Sequence, residues 1–110
     1  MNSPTARYIV SSDDTIGHDQ DLADKRTQMV FAGESPKGFP SGILKVARRK
    51  LKMVDAAVLL TDLRVPPGNQ LEALAGDRKG QHSIRINDQW RICFTWTPEG
   101  PTGVEVVDYH

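Results

Sequence analysis

The sequence predicts an α+β domain in which an N-terminal helix pair packs on a twisted, mainly antiparallel sheet. Three observations carry this. Ile43, Ala47, Leu51, Val54 and Val58 recur at three- and four-residue steps, which places one apolar stripe along a helix. From Gln70 onward the apolar period changes to two, the spacing of half-buried strands. Turn residues at Asn87-Asp88 and across 98–101 separate the alternating runs at hairpin distance. Helical pattern first and a meander of strands afterwards is the order of an α+β layer.

Taken in order, residues 1–20 are polar, rich in Ser, Thr and Asp, and without sustained period. They are expected to form a poorly ordered extension, with 21–110 as a single domain. A short strand is expected from Ile16 to Leu22. Asp24 suits an N-cap for a helix over 25–32 that Gly33 ends. Pro36, Gly38 and Pro40 make a loop, and the basic amphipathic helix starts after Pro40-Ser41. A helical turn is expected at Thr61-Asp62-Leu63, and Pro66-Pro67-Gly68 breaks the chain. Strands follow over 81–87, with Ile84 and Ile86 opposite Ser83 and Arg85. The next, 90–96, sets Trp90, Ile92, Phe94 and Trp96 opposite Arg91, Cys93 and Thr95. The last, 103–109, turns Val104 and Val106 inward.

Composition bounds the function. A chain of 110 residues buries roughly 65% of its unfolded surface, enough for one core. With 38% hydrophobic and 25% charged residues it reads as a globular protein. No apolar run approaches the ~20 residues of a membrane span, and the first ten lack the pattern of a signal peptide. One cysteine, Cys93, excludes an internal disulfide and a cysteine-built zinc site. A small, reduced, cytoplasmic protein is the expectation.

The neutral total of 14 Lys+Arg against 14 Asp+Glu conceals segregation. Residues 1–24 hold five Asp and one Arg, a net of −4, whereas 25–53 hold eight Lys/Arg and one Glu, a net of +7. Residues 76–97 hold Arg78, Lys79, Arg85 and Arg91 against Asp77 and Asp88, a net of +2. A basic face is the footprint of a phosphate partner, and it is equally that of a solvated helix beside an acidic tail.

The run LEALAGDRKGQHSIRINDQWRICF at 71–94 and the ending Val-Glu-Val-Val-Asp-Tyr-His at 104–110 resemble the HigB-type toxins of the RelE/ParE superfamily, and within them the GraT-like branch. Residues 50–57 and 62–68, Asp24-Lys25, and Phe31-Ala-Gly-Glu34 add to the resemblance, which covers about 16–110. It implies the compact RNase-like α+β fold and a ribosome-dependent endoribonuclease that cuts mRNA in the decoding site without metal or other cofactor. It also implies a helix-turn-helix antitoxin partner, with operator DNA reached only through that antitoxin. Two positions depart from the pattern: Glu72 stands where some HigB enzymes have a histidine, and Ala75 where a lysine is common.

The residues offer the chemistry that metal-free RNA cleavage needs: a base for the ribose 2′-hydroxyl, an acid for the leaving 5′-oxygen, and positive charge at the phosphate. His110 can carry a proton near neutral pH, since an unperturbed imidazole titrates at about 6.5, and as the last residue it adds a carboxylate. Asp108 can orient a histidine or accept a proton, and Glu72 is a candidate base. Arg91 presents a planar fork to a phosphate oxygen. Arg78, Lys79 and Arg85 can hold flanking phosphates, and Tyr109 and His82 can stack on a splayed base. Lys45, Arg48, Arg49 and Lys52, off the apolar stripe, are candidates for ribosomal RNA. The blander roles are a frayed end for His110, a cross-sheet ion pair for Arg91, a solvated edge for Glu72 and a structural strand position for His82. Gly76 to Gly80 is too short a signal for a phosphate loop, Cys93 has no base partner in sequence, and no spacing points to a metal. A toxin that binds a protein target, as gyrase-poisoning relatives of the superfamily do, and an inactive corepressor partner of an antitoxin are the alternatives.

Overall fold

A computed structural model describes residues 24–108; the expected extension over 1–20 and the strand from Ile16 to Leu22 lie outside that range. The elements are α1 (Lys25–Phe31), α2 (Leu44–Ala56), and strands β1 (Glu72–Ala73), β2 (His82–Arg85), β3 (Trp90–Thr97) and β4 (Gly100–Asp108). The sheet is an antiparallel meander in the order β1-β2-β3-β4, so β1 and β4 are its edges. The α+β class read from periodicity holds.

Local chemistry explains each boundary. The Asp24 carboxylate accepts from the Thr27 N–H at 2.8 Å and caps α1, an interaction generally worth about 1 kcal/mol. Gly33, at φ 90°, turns the chain out of that helix. A 3-10 turn (Ser41–Ile43) leads into α2. The helix stops at Ala56, because Ala57 is extended and the Asp62 carboxylate gathers the Val58 and Leu59 N–H groups at 3.0 and 2.9 Å. Val58, expected to continue the apolar stripe, therefore lies past the helix and is 80% exposed. The helical turn expected around Asp62 is a 3-10 turn (Leu60–Arg64), and a second one (Pro67–Asn69) follows the cis Val65–Pro66 bond.

Two features of the sheet differ from expectation. β4 begins at Gly100, and Pro101, expected in the turn, sits inside it opposite Trp96. An edge strand accommodates a residue without an N–H. Between Cys93 and Thr95 the β3–β4 register slips, so that Gly103 and Val104 together face Phe94. Gly103 has φ 59°, the left-handed residue that such a bulge requires.

One apolar cluster joins Val30 of α1, Ala47, Leu51 and Val54 of α2, and Ile84, Ile92, Phe94, Val104 and Val106 of the sheet. Thr27, fully buried, accepts from the Val106 N–H at 2.9 Å and ties α1 to β4. Phe39 meets the Trp90 ring edge-on at 4.9 Å, and the Arg26 guanidinium lies 5.4 Å from that ring's centre.

The polar node of this interior is Lys50 with Asn69. Lys50 Nζ donates to Asn69 Oδ1 at 2.6 Å, and Asn69 Nδ2 donates to the Leu63 and Val65 carbonyls at 3.2 and 3.4 Å. Asn69 is fully buried and Lys50 only 7% exposed. Burial, reinforced by the like charges of Arg49 and Arg85, holds the Lys50 ammonium below the ordinary lysine value of 10.5. The unfolded chain therefore binds more protons than the folded one between the lowered value and 10.5, and stability from this group rises with pH across that window. Against a Lys50→Met variant, the parent should gain stability between pH 7 and pH 10 in urea melts. An unchanged difference would mean that Lys50 titrates alike in both states.

Candidate active site

Strand register builds a polar row across the face of the sheet opposite the core. Glu72 pairs with Ser83, Ser83 with Cys93, and Cys93 with Glu105, one residue from each strand. The next row holds Arg85, Arg91 and Val107. Residues of this parity leave the sheet on the outer side, since their neighbours Ile84, Ile92 and Val106 point into the core.

Each arginine on this face has its own carboxylate. Arg91 Nη2 lies 3.1 Å from Glu72 Oε1, Arg78 Nη2 lies 3.5 Å from Glu105 Oε1, and Arg85 pairs with Asp88. Arg91 is the most firmly held: its Nε donates to Ser83 Oγ at 2.8 Å, its Nη2 also donates to the Gln70 carbonyl at 2.9 Å, and its side chain is 11% exposed. Arg78 Nη1 donates to Gln81 Oε1 at 3.0 Å. The result is a fixed array of planar donors whose charges are balanced nearby. It can take up a phosphate group by exchanging carboxylate oxygens for phosphate oxygens at the same forks.

Cys93 lies fully buried in the middle of the row. Burial chiefly, with Glu105 and Glu72 adding to it against the pull of Arg78 and Arg91, raises its thiol from 9.0 to about 11. The thiolate is scarce, which fits a strand residue and not a nucleophile.

Other residues singled out in the sequence go elsewhere. His82 leaves β2 on the core side and stacks on Phe94, the ring centres 6.4 Å apart; its buried Nδ1 has no hydrogen-bond partner among the described residues. It is on the opposite side of the sheet from Arg91 and does not join the site. Asp108 pairs with Trp90, so it too leaves β4 on the side opposite Arg91, where Gln89 Nε2 donates to it at 3.1 Å. Tyr109 and His110 lie outside the described residues. Lys79 is exposed at the turn before β2.

The basic helix forms a separate surface. Lys45, Arg48, Arg49 and Lys52 line a shallow groove of about 700 Å³ together with Gly33, Ser41 and Leu44. Arg48 is committed within the fold. Its Nε donates to the Phe31 carbonyl at the end of α1 at 3.0 Å, where a cation also suits the helix dipole. Lys50, counted in the same basic segment, points inward to Asn69.

Sequence reasoning missed Ser83, Glu105, Gln81 and the Gln70 carbonyl. Ser83, Glu105 and Gln81 were recoverable in part, since register places alternate residues of neighbouring strands side by side. The Gln70 carbonyl carried no sequence signal. Among the described residues no cluster of His, Cys, Asp and Glu is suited to a metal ion, and no helix is long and apolar enough to cross a membrane.

The family model for the RelE-like toxin of type II toxin–antitoxin system HigB matches residues 20–110. Toxin HigB-1 of Vibrio cholerae serotype O1 is 51% identical over 58 residues, 53% of this chain and 61% of that protein. An uncharacterised protein of Haemophilus influenzae is 39% identical over 64 residues, 58% of this chain and 63% of its own length. The chain thus spans about six-tenths of the length of the curated relatives it matches.

Two outcomes follow from the geometry. A thiol raised from 9.0 to about 11 leaves roughly 100-fold less thiolate at neutral pH, so Cys93 should react with maleimide at least that much more slowly in the folded protein than in urea. Comparable rates would show that the outer face opens freely. Arg48→Ala should cost about 0.5–1.5 kcal/mol in thermal melts by removing its bond to the C-terminal end of α1, while Lys45→Ala and Lys52→Ala stay within about 0.5 kcal/mol. Equal melting of all three would return Arg48 to the open surface.

Proposed function

The chain belongs to the RelE-like toxins of HigB type II toxin–antitoxin systems, and on that premise we propose that it is a ribosome-dependent, metal-independent endoribonuclease that cuts mRNA and is neutralised by a helix-turn-helix antitoxin. The toxin domain is residues 21–110, it works in the cytoplasm where ribosomes are, and it reaches operator DNA only through the antitoxin. The observation that carries this reading is the gathering of Arg78, Arg85 and Arg91 on one sheet face, each beside a carboxylate.

In this reading the ribose 2′-oxygen attacks phosphorus and the 5′-oxygen leaves. The Arg91 guanidinium sits against the phosphate oxygens, where charge grows in the transition state. Glu72, next to Arg91, and His110 are the groups able to take the 2′-proton and supply one to the leaving oxygen, while Asp108, which leaves β4 on the other side of the sheet, is left the role of orienting the histidine. Arg78, Lys79 and Arg85 hold the flanking phosphates, and Tyr109 offers a ring for a splayed base. His82 has no part, because it faces the core. Of the four cations lining the α2 groove, Lys45, Arg49 and Lys52 remain free to meet ribosomal RNA, with Arg48 held by α1.

Expression without an antitoxin should arrest growth and create new 5′ ends in cellular mRNA. His110→Ala should lower cleavage by about 10²–10⁴ with melting unchanged, and Arg91→Ala should lower the whole pH–rate curve without altering its shape. Growth arrest without new 5′ ends would favour a toxin that binds a protein target, and normal growth at high expression would favour a corepressor partner. Lys45, Arg49 and Lys52 changed together to Gln should weaken ribosome co-sedimentation and lower its salt slope by about one unit for each phosphate no longer neutralised. An unaltered slope would make these residues solvated surface.

A further inference from the structure

Gln70 stands apart among the described residues: it is the non-glycine residue with a left-handed backbone, at φ 46° and ψ 57°. A residue with a side chain stays in that region only where its surroundings over-determine it, and such places cluster at functional sites. The constraint on Gln70 comes from both sides. Before it, Asn69 is anchored in the interior by Lys50 Nζ on α2 and by the Leu63 and Val65 carbonyls. The Asn69 and Gln70 N–H groups donate to the Pro66 and Pro67 carbonyls at 2.9 and 3.0 Å, which closes the turn. After it, the Gln70 carbonyl accepts from Arg91 Nη2 at 2.9 Å.

We propose that Lys50 and Asn69 are positioning residues for Arg91: from the far side of the sheet they fix the turn that aims the Gln70 carbonyl at the guanidinium. Ser83 Oγ holds Nε, Glu72 and the Gln70 carbonyl hold Nη2, and these acceptors together set the plane of the fork. Ser83 and Glu72 come from neighbouring strands and are placed by register alone. The Gln70 carbonyl is placed by a loop and needs an anchor of its own. An apolar pair of similar volume at positions 50 and 69 would fill the same space without the cost of desolvating an ammonium. What it could not do is bind the Leu63 and Val65 carbonyls and hold the turn in a left-handed conformation. That Arg91 meets a phosphate is the reading given above; that it is aimed from α2 does not require it.

The test uses the full chain and two variants, Lys50→Met/Asn69→Leu, which replaces the polar pair, and Asn69→Asp, which keeps a partner for Lys50 but gives up both donations to the turn. The first readout is nuclear magnetic resonance of the arginine side chains, without RNA. In the parent, the Arg91 Nε–H should exchange slowly and its two terminal nitrogens should give separate signals. In whichever variant stays folded, judged by unchanged amide protection of Ile84, Ile92 and Val106, exchange should rise by about tenfold or more and the signals should merge. The second readout is single-turnover mRNA cleavage on ribosomes. The variants should lose up to about 100-fold, as misplaced catalytic groups do, yet less than about twofold when added to Arg91→Ala. Unchanged Arg91 exchange in a folded variant overturns the proposal, as does a cleavage loss that adds in full to that of Arg91→Ala. If the parent cuts no RNA, the nuclease reading fails by itself, and the resonance measurement still decides whether Arg91 is held through Asn69.

Discussion

A single buried hydrogen bond, Lys50 Nζ to Asn69 Oδ1, is the constraint on which the rest of this structure hangs. Removing either partner would leave a polar group without water or a mate, a penalty generally larger than the net gain of an ordinary hydrogen bond. That asymmetry makes the arrangement nearly obligatory once Lys50 is turned inward. The segment from Leu60 to Gln70 is built from two short 3-10 turns with few apolar anchors: Leu63 is buried, while Val65 is 71% exposed. Asn69 substitutes for a core in this stretch. It collects the main-chain carbonyls of Leu63 and Val65 and delivers the chain to the start of β1 in the correct phase for Glu72 to meet Ser83.

The outer sheet face is organised by compensation. Arg78, Arg85 and Arg91 would repel one another if left bare, and their carboxylate neighbours bring the local charge near neutrality. An anion meeting such a surface must match the fork geometry well enough to replace a partner already seated. Exposure grades the pairs. Glu72 is half exposed beside a nearly buried Arg91, whereas Glu105 is largely covered where it meets Arg78. Of these two, Glu72 is therefore the easier carboxylate to displace. The groove on α2 differs in kind, for Lys45, Arg49 and Lys52 line an open surface.

Much of this was legible in the residues. The stripe of Ala47, Leu51 and Val54, the N-cap at Asp24, and the alternation through Ile84, Ile92 and Phe94 each follow from one local rule, and each stands in the fold. The RelE-like family was legible from the runs at 71–94 and 104–110. What escaped depends on residues distant in sequence. Val58 satisfies the helical period, but Asp62 draws its N–H into a different turn. Arg48 looks like its basic neighbours until the end of α1 is brought against it. His82 and Arg91 both read as candidate RNA contacts, although the alternation that turns Ile84 and Ile92 inward already sends His82 to the core side and Arg91 away from it. A main-chain carbonyl, such as that of Gln70, has no identity in sequence at all.

The bulge at Gly103 works as an expansion joint. Below it, Glu105, Val106 and Val107 keep strict step with β3, and Thr27 clamps the Val106 amide. Above it, Pro101 and Thr102 run one residue out of phase with the lower half. The hairpin tip can thus differ in length or in twist without passing that change down the strand, because the slack is taken up at a glycine whose backbone can absorb it. The lower part of β4 carries Glu105 and leads to the end of the chain, so wear on the tip and upkeep of the arginine face are left as separate problems for selection.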